Sequence, residues 1–134
     1  MRFAPDDTAG RHLIQGYDDT AVVINGQRHS APLLICAELF LSPWGPASDP
    51  TALSAEQQAQ LIALAPQVLL LGTGRRALLP RPTLLLPFSQ RGIGVEIMTT
   101  AAACRTYNVL SAEGRRVVAV LVPPDCEAGG GGIT

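Results

Sequence analysis

The chain has 134 residues, the length of one domain and enough to bury roughly two thirds of the surface that the unfolded chain would expose. Hydrophobic residues make up 47%, charged residues 16%, and the net charge is -1, so composition excludes disorder and provides no overall field for binding nucleic acid or an anionic membrane. All ten basic residues are arginine, which excludes a Schiff-base lysine, a P-loop lysine and a serine–lysine dyad.

The two ends of the chain are expected to lie outside the core. Residues 1–10 combine Pro5 and Gly10 with aspartates, which suit the turns of a flexible arm, and they lack the apolar core of a secretion signal. Residues 127–134, EAGGGGIT, predict a mobile tail. We therefore predict a single domain over residues 1–134 with its core at about 11–124. No uninterrupted apolar run of about 18 residues occurs, so we expect a cytoplasmic protein that is not an integral membrane protein.

The first half of the chain predicts short antiparallel strands. Asn25-Gly26 is a strong hairpin signal because both residues accept positive φ, and residues 22–24 and 27–30 would be its arms. The apolar runs LLIC and LFL predict two further strands. A connection rich in proline and glycine then surrounds Trp44, which either anchors this loop on the sheet or contacts a partner. We favour anchoring, although isolated tryptophans in such loops are also interface residues.

The second half alternates helices with strands. Ser54 and Gln57 form a capping box before a helix over residues 55–65, and the following QVLLLG is a continuous apolar run, typical of a buried parallel strand. A short helix is expected to begin at Pro82 and to end at Gly92.

The remaining elements complete a repeated pattern of strand and helix. GVEIM predicts a strand, TTAAACRTYNVLSAEG a helix and RVVAVLV a last strand. This order requires right-handed crossovers and parallel strands. The sequence therefore predicts an α/β domain in which an antiparallel N-terminal layer packs on, or extends, a small central sheet.

The sequence GTGRR follows the predicted buried strand at its carboxyl end, the edge where ligands bind in open α/β sheets. Two interpretations are open: a pocket in which glycine amides and arginines hold an anion, or a structural turn with solvated arginines. We favour the turn, because the pattern is neither GxGxxG nor a P-loop. The candidate ligand-binding residues are Gly72, Thr73, Gly74, Arg75, Arg76, Thr99 and Arg105.

The last helix begins with a dense set of reactive side chains. Thr99 or Thr100 suits the N-cap, and Ala103, Tyr107 and Leu110 recur at the spacing of a buried stripe. These features indicate a helix that packs closely on a sheet.

Cys104 lies near the start of this helix, where a thiolate would be favoured. A nucleophilic cysteine needs a base, and His12 and His29 are the two histidines of the chain. Neither is indicated as a partner, so we favour a buried, unreactive thiol over a catalytic one. The three cysteines show no CxxC spacing, and we predict no metal site, no catalytic residues and no cofactor.

Glu96 lies in the middle of the strand GVEIM, where we expect it to be buried. A buried carboxylate needs a partner, and Arg105 or Arg76 could supply one. We favour a structural ion pair, with Arg105 as first choice, over a general acid or base.

Several stretches together resemble one small family, originally of unknown function, found in bacteria, archaea and eukaryotes. It includes a mitochondrial assembly factor of respiratory complex I and a cytosolic protein associated with adipogenesis. The stretches that carry the resemblance are INGQRHSAPLLI at 24–35, Trp44, LLLGTGRR at 69–76, RGIGVEIMTTAAACRTYNVL at 91–110 and EGRRVVAVLVP at 113–123. The segment PRPTLLLPFSQ departs from the family, whose members usually have a more regular helix there.

The resemblance implies a three-layer β+β/α fold with a mixed sheet, antiparallel N-terminal strands and a parallel β-α-β-α-β C-terminal half. It implies no established enzymatic activity and no agreed catalytic residues. It favours a bacterial interaction domain or assembly factor that acts through unidentified protein partners. The near-neutral net charge separately predicts no binding of nucleic acid. A homo-oligomer remains open, as does the alternative of a small-molecule or anion-binding domain, perhaps an enzyme.

Overall fold

The computed structural model describes residues 11–46 and 49–125. The predicted N-terminal arm and glycine-rich tail lie outside the described residues. The described elements, in chain order, are β1 Ile14–Tyr17, β2 Val22–Ile24, β3 Gln27–His29, β4 Leu33–Ile35, β5 Phe40–Leu41, α1 Ala55–Ala63, β6 Val68–Gly72, α2 Pro82–Ser89, β7 Gly94–Met98, α3 Thr100–Ala112 and β8 Val117–Leu121.

The strands form two sheets. The first sheet is antiparallel, with the order β1-β2-β3, and the second is mixed, with the order β5-β4-β8-β6-β7. In the second sheet β6 pairs in parallel with β7 and β8, while β4 pairs antiparallel with β5 and β8. These pairings confirm the antiparallel first half and the parallel second half that the sequence predicts. Of the antiparallel strands, β4 and β5 extend the central sheet, and β1 to β3 form a separate sheet.

Helices and the first sheet cover the two faces of the central sheet. One apolar core lies between the central sheet and a layer made of α3 and β1 to β3, and it includes Tyr107, Cys104 and Leu70. A second core lies between the opposite face and α1 with α2, and it includes Leu61 and Phe88. The α/β fold therefore has the three layers that the family resemblance implies.

The central strands are buried on both faces. In β8, Val117, Ala119 and Leu121 belong to the first core, and the alternate residues Val118 and Val120 belong to the second. Side chains of a strand alternate between faces, so a strand covered on both sides is apolar throughout. This explains why β6 and β8 are unbroken apolar runs in the sequence.

Short-range signals set several element ends as predicted. Asn25 and Gly26 have φ values of 54° and 78° in the β2–β3 hairpin. At the start of α1, the Gln57 amide donates to Ser54 Oγ over 3.1 Å and the Ser54 amide donates to Gln57 Oε1 over 2.9 Å, which completes the capping box. Pro82 occupies the first position of α2.

Trp44 anchors the long connection, as we favoured from the sequence. It is half-buried and packs against the second core. Its Nε1 donates to Gln60 Oε1 of α1 over 3.1 Å, and its amide donates to the Pro32 carbonyl over 2.7 Å. The longest described helix, α3, has 13 residues, and none of the described helices is long and apolar enough to cross a bilayer.

Candidate functional site

An open cleft of about 730 Å³ lies beside the carboxyl ends of the parallel strands. Part of its lining comes from the turn after β6 and the start of α3, and the rest comes largely from the β1–β2 connection and β3. The lining residues are Tyr17, Asp18, Asp19, Thr20, Arg28, Gly74, Arg75, Thr99, Ala101 and Pro124. Of the seven candidate ligand-binding residues, the structure therefore places Gly74, Arg75 and Thr99 on this cleft.

The backbone amides of the glycine turn that follows β6 tie it to the end of β7 and to the start of α3. The Thr73 amide donates to the Met98 carbonyl over 3.0 Å, and the Gly74 amide donates to Thr100 Oγ1 over 2.8 Å. Gly74 has a φ of 94°, in the region that favours glycine. The amides of Thr73 and Gly74 thus serve the fold, and an anion would need to displace these bonds to use them.

Gly72 is required by close packing. A Cβ at this position would lie 2.7 Å from Leu121 Cδ2, 3.1 Å from Thr100 Cα and 3.2 Å from Ala103 Cβ. The start of α3 therefore approaches β6 more closely than a side chain at Gly72 would allow. Ala103, the small residue of the predicted stripe, makes the same approach possible from the helix side.

Charges at the mouth of the cleft pair with one another. Arg75 forms ion pairs with Asp19, at 3.6 Å, and with Asp125. Arg28 pairs with Asp18, and the hydrogen bond from its guanidinium, together with the Thr20 amide, lowers the pKa of Asp18 to about 2. Three carboxylates thus face two guanidiniums, which favours internal pairing over capture of an anion.

The remaining two arginines of the predicted ligand set lie outside the lining. Arg76 is exposed after the turn, where its carbonyl accepts a 2.5 Å hydrogen bond from the Thr73 hydroxyl. Arg105 is exposed on α3 and donates to Tyr17 Oη over 2.6 Å. The Arg105 side chain thereby connects α3 to β1 next to the cleft.

The expected burial of Glu96 is wrong. Glu96 is exposed, and the described residues include no ion pair between Glu96 and Arg105 or Arg76. The reason is the strand order: β7 is an edge strand, so α3 leaves this part of its face uncovered. A carboxylate on an exposed edge needs no buried partner, and it discourages pairing with foreign strands.

Cys104 is fully buried, and burial raises the pKa of its thiol to about 12. The two histidine rings share an aromatic neighbour, Phe40. The rings of His12 and His29 lie 6.1 Å and 4.7 Å from the Phe40 ring. Such a thiol is protonated at neutral pH, which agrees with the interpretation of Cys104 as a packing residue.

The sequence does not identify the two polar side chains, Tyr107 and Asn108, by which α3 is hydrogen-bonded to the chain at and just before β1. Asn108 accepts from the Ile14 amide over 3.0 Å and donates to the Ile14 carbonyl over 2.6 Å, as a neighbouring strand would. The buried Tyr107 donates its hydroxyl to the His12 carbonyl over 2.6 Å. The available signal was the hydroxyl of Tyr107 within the apolar stripe and the amide of the adjacent Asn108, but their partners lie 95 and 94 residues away.

A second cleft, of about 530 Å³, lies at the opposite end of the parallel strands. Its lining includes Arg11, Cys36, Glu38, Arg115 and Arg116. Arg116 donates to the Leu64 carbonyl over 2.7 Å and Arg11 to Ser111 Oγ over 2.6 Å, so two of its guanidiniums hold helix ends. Among the described side chains, no three of the His, Cys, Asp and Glu groups lie together as a metal site would require.

The family model described as a protein of unknown function, DUF498/DUF598, matches residues 14–122. The chain belongs to this family. An uncharacterised member from Rhodobacter capsulatus is 42% identical over 118 residues, which cover 86% of this chain and 87% of that one. NADH dehydrogenase 1 alpha subcomplex assembly factor 3 of Xenopus tropicalis is 32% identical over 120 residues, or 88% of this chain and 64% of the relative. The chain thus spans less than two thirds of that relative.

Solved structures of bacterial relatives share the fold. A Bordetella parapertussis crystal structure is 38% identical, has a TM-score of 0.72 and covers 87% of this chain and 99% of its own. A Mth938-like domain from Bordetella pertussis, solved by NMR, is 31% identical, with a TM-score of 0.76 over 100% of this chain and 99% of its own. The family resemblance stated from the sequence is therefore confirmed.

Proposed function

We propose that this chain is a non-enzymatic interaction domain of the cytoplasm that assists the assembly of a respiratory NADH dehydrogenase through protein partners. The observation that carries the proposal is its similarity, over most of its length, to relatives named as assembly factors of that enzyme. The matched region contains the complete three-layer core, so the similarity concerns the fold unit itself.

The roles of the reactive side chains support this proposal. Cys104 is buried and protonated, Glu96 is exposed on an edge strand, and the amides of the glycine turn pair within the protein. These groups, which an enzyme would use as nucleophile, base and oxyanion site, instead hold α3 to the sheets or face solvent. We therefore infer that this domain acts through protein partners that bind its surface.

Deleting the gene in the organism that encodes this chain tests the proposal. We expect less assembled NADH dehydrogenase on native gels, restored by the native chain and equally by Cys104→Ala, because the thiol has only a packing role. Tagged protein should also recover subunits of that enzyme from membrane or soluble fractions. A normal amount of assembled enzyme in the deletion strain, together with no such subunits above background, would contradict the proposal.

A second candidate function is small-molecule or anion binding, which the cleft of about 730 Å³ beside Gly74, Arg75 and Thr99 favours. Ligands of α/β domains bind at the carboxyl ends of the strands, where this cleft lies. A ligand there would compete with Asp19 and Asp125 for the guanidinium of Arg75.

Thermal-shift screening with phosphates, nucleotides and carboxylates separates the two candidates. For a ligand of the cleft, we expect a rise in the melting temperature that Arg75→Ala abolishes and Arg91→Ala retains, since Arg91 is exposed on another part of the surface. Each shift is measured against the same variant without ligand. Flat melting temperatures, or equal shifts in Arg75→Ala, exclude this second function.

A further inference from the structure

The second cleft, of about 530 Å³, differs from the first in the balance of its charges. Three arginines line this one cavity, Arg11, Arg115 and Arg116, and Glu38 is the one carboxylate of the described lining. The ion pairs of the described residues include none of these four side chains. In the first cleft, by contrast, guanidiniums and carboxylates pair with one another. Three guanidiniums against one carboxylate leave the second cleft with an excess of two positive charges.

Part of this positive charge has a structural role. Arg11 donates from Nη2 to the carbonyl and the hydroxyl of Ser111, at the end of α3. Arg116 donates from Nε to the Ala65 carbonyl and from Nη2 to the Leu64 carbonyl, just after α1. Cations stabilise the C-terminal ends of helices. These bonds also satisfy carbonyl oxygens that would otherwise repel an anion in the cleft.

Donors remain after these bonds are made, since a guanidinium has five N–H groups. Among the described residues, Nη1 of Arg11 and Nη1 of Arg116 have no hydrogen-bond partner, and the guanidinium of Arg115 has none at all. The backbone of Arg115 is nevertheless fixed, because its amide donates to the Leu110 carbonyl over 3.1 Å. Arg115 therefore presents its whole guanidinium to a ligand from a well-held position.

The rest of the lining adds little negative charge. The Cys36 thiol donates to Glu38 Oε1 over 3.7 Å, and burial raises the pKa of this thiol, so it is neutral at pH 7. Apolar walls come from Leu64, Pro66, Val117 and Val118. A cavity of this size, with apolar walls and a few charged groups that converge on it, is typical of a small-molecule site.

We propose that the second cleft binds a small anion that carries two or more negative charges on carboxylate or phosphate groups. Guanidiniums bind such oxyanions through charge-assisted hydrogen bonds, often two at a time. Arg115 holds one group of the ligand, and the remaining donors of Arg11 and Arg116 hold another. A ligand with at least two negative charges matches the two positive charges in excess.

Isothermal titration calorimetry of the purified full chain with sodium pyrophosphate and with sodium citrate tests the proposal. We expect one-to-one binding of at least one of these anions, with an affinity that falls as sodium chloride is raised, and much weaker binding of acetate. The comparison of pyrophosphate with citrate distinguishes a phosphate ligand from a carboxylate ligand.

Two variants should shift the affinity in opposite directions. Arg115→Gln should weaken binding by about tenfold and keep the native melting temperature, because it removes a charge-assisted contact and no side-chain bond of the fold. Glu38→Gln should tighten binding by about threefold, because it removes a like charge and keeps the oxygen that accepts from Cys36.

Arg91→Gln is the matched control, because Arg91 is exposed, carries the same charge and lies outside the lining of both clefts. It should bind as the native chain does, and so should Arg75→Gln, which alters the first cleft. Absence of binding by both anions, equal losses in Arg115→Gln and Arg91→Gln, weaker binding by Glu38→Gln, or a loss in Arg75→Gln instead of Arg115→Gln overturns the proposal.

Discussion

The amide of Gly74 donates a 2.8 Å hydrogen bond to the buried Oγ1 of Thr100, which ties the turn after β6 to the first residue of α3. The same hydroxyl donates to the Val122 carbonyl over 2.6 Å, and the Thr100 amide donates to the Gly74 carbonyl over 2.9 Å. One side chain thus joins three segments that meet at the carboxyl edge of the sheet. The side chain of the preceding residue, Thr99, caps the helix by accepting from the Ala102 amide.

Thr100→Val keeps the shape of this side chain and removes its hydroxyl. We expect a loss of about 1–3 kcal/mol in the free energy of unfolding, because the Gly74 amide and the Val122 carbonyl would remain buried without this partner. Urea denaturation measures the change. Thr83→Val, an exposed position on α2, should change stability by less than about 0.5 kcal/mol. A similar small change for Thr100→Val would contradict the role assigned to its hydroxyl.

Gly72→Ala tests the close approach of α3 to β6. The added methyl would lie 2.7 Å from Leu121 Cδ2 and near the backbone of Thr100, so we expect a destabilisation of about 1–3 kcal/mol. Gly94→Ala in the neighbouring strand is the control, because its nearest atom, the Gln67 carbonyl oxygen, would lie 3.8 Å away. If thermal unfolding shows both variants equally stable, the packing argument for Gly72 fails.

Asn108→Leu tests the attachment of the first sheet to α3. The change removes two hydrogen bonds to the Ile14 backbone, and we expect it to cost about 1–3 kcal/mol. Hydrogen exchange of the Ile14 amide should become faster than in the native chain. The exposed neighbour Val109, changed to Thr, should leave both quantities nearly unaltered. Unchanged exchange at Ile14 would show that β1 is held by other contacts.

The sequence predicts those parts of the fold that depend on near neighbours. The Asn25-Gly26 hairpin requires two adjacent residues with positive φ, and the capping box requires a serine and a glutamine three residues apart. The apolar runs of β6 and β8 report burial on both faces, which indicates parallel central strands. Each of these signals is contained within a few residues of the chain.

Features that depend on strand order or on distant partners were not predictable in this way. Glu96 was expected to be buried because it lies between apolar residues, but its exposure follows from the edge position of β7. The bonds of Asn108 to Ile14 join residues 94 apart.

The central claim is that the polar and reactive groups at the start of α3 seat this helix on the sheets and carry out no reaction. Alkylation of Cys104 by iodoacetamide, followed by mass spectrometry, tests this claim most directly. Burial raises the pKa of this thiol to about 12, so at neutral pH it is protonated as well as inaccessible. The Cys126→Ser variant removes one competing thiol, and labelling of Cys104 is quantified from the peptide that contains it.

We expect Cys104 to stay unmodified in the folded chain at neutral pH and to react at the rate of a free thiol once urea unfolds the protein. The buried Cys36, whose pKa burial also raises, provides an internal comparison in the same digest. Selective and rapid alkylation of Cys104 in the native protein would show an accessible thiolate at this position, and the account of α3 as a structural helix would be wrong.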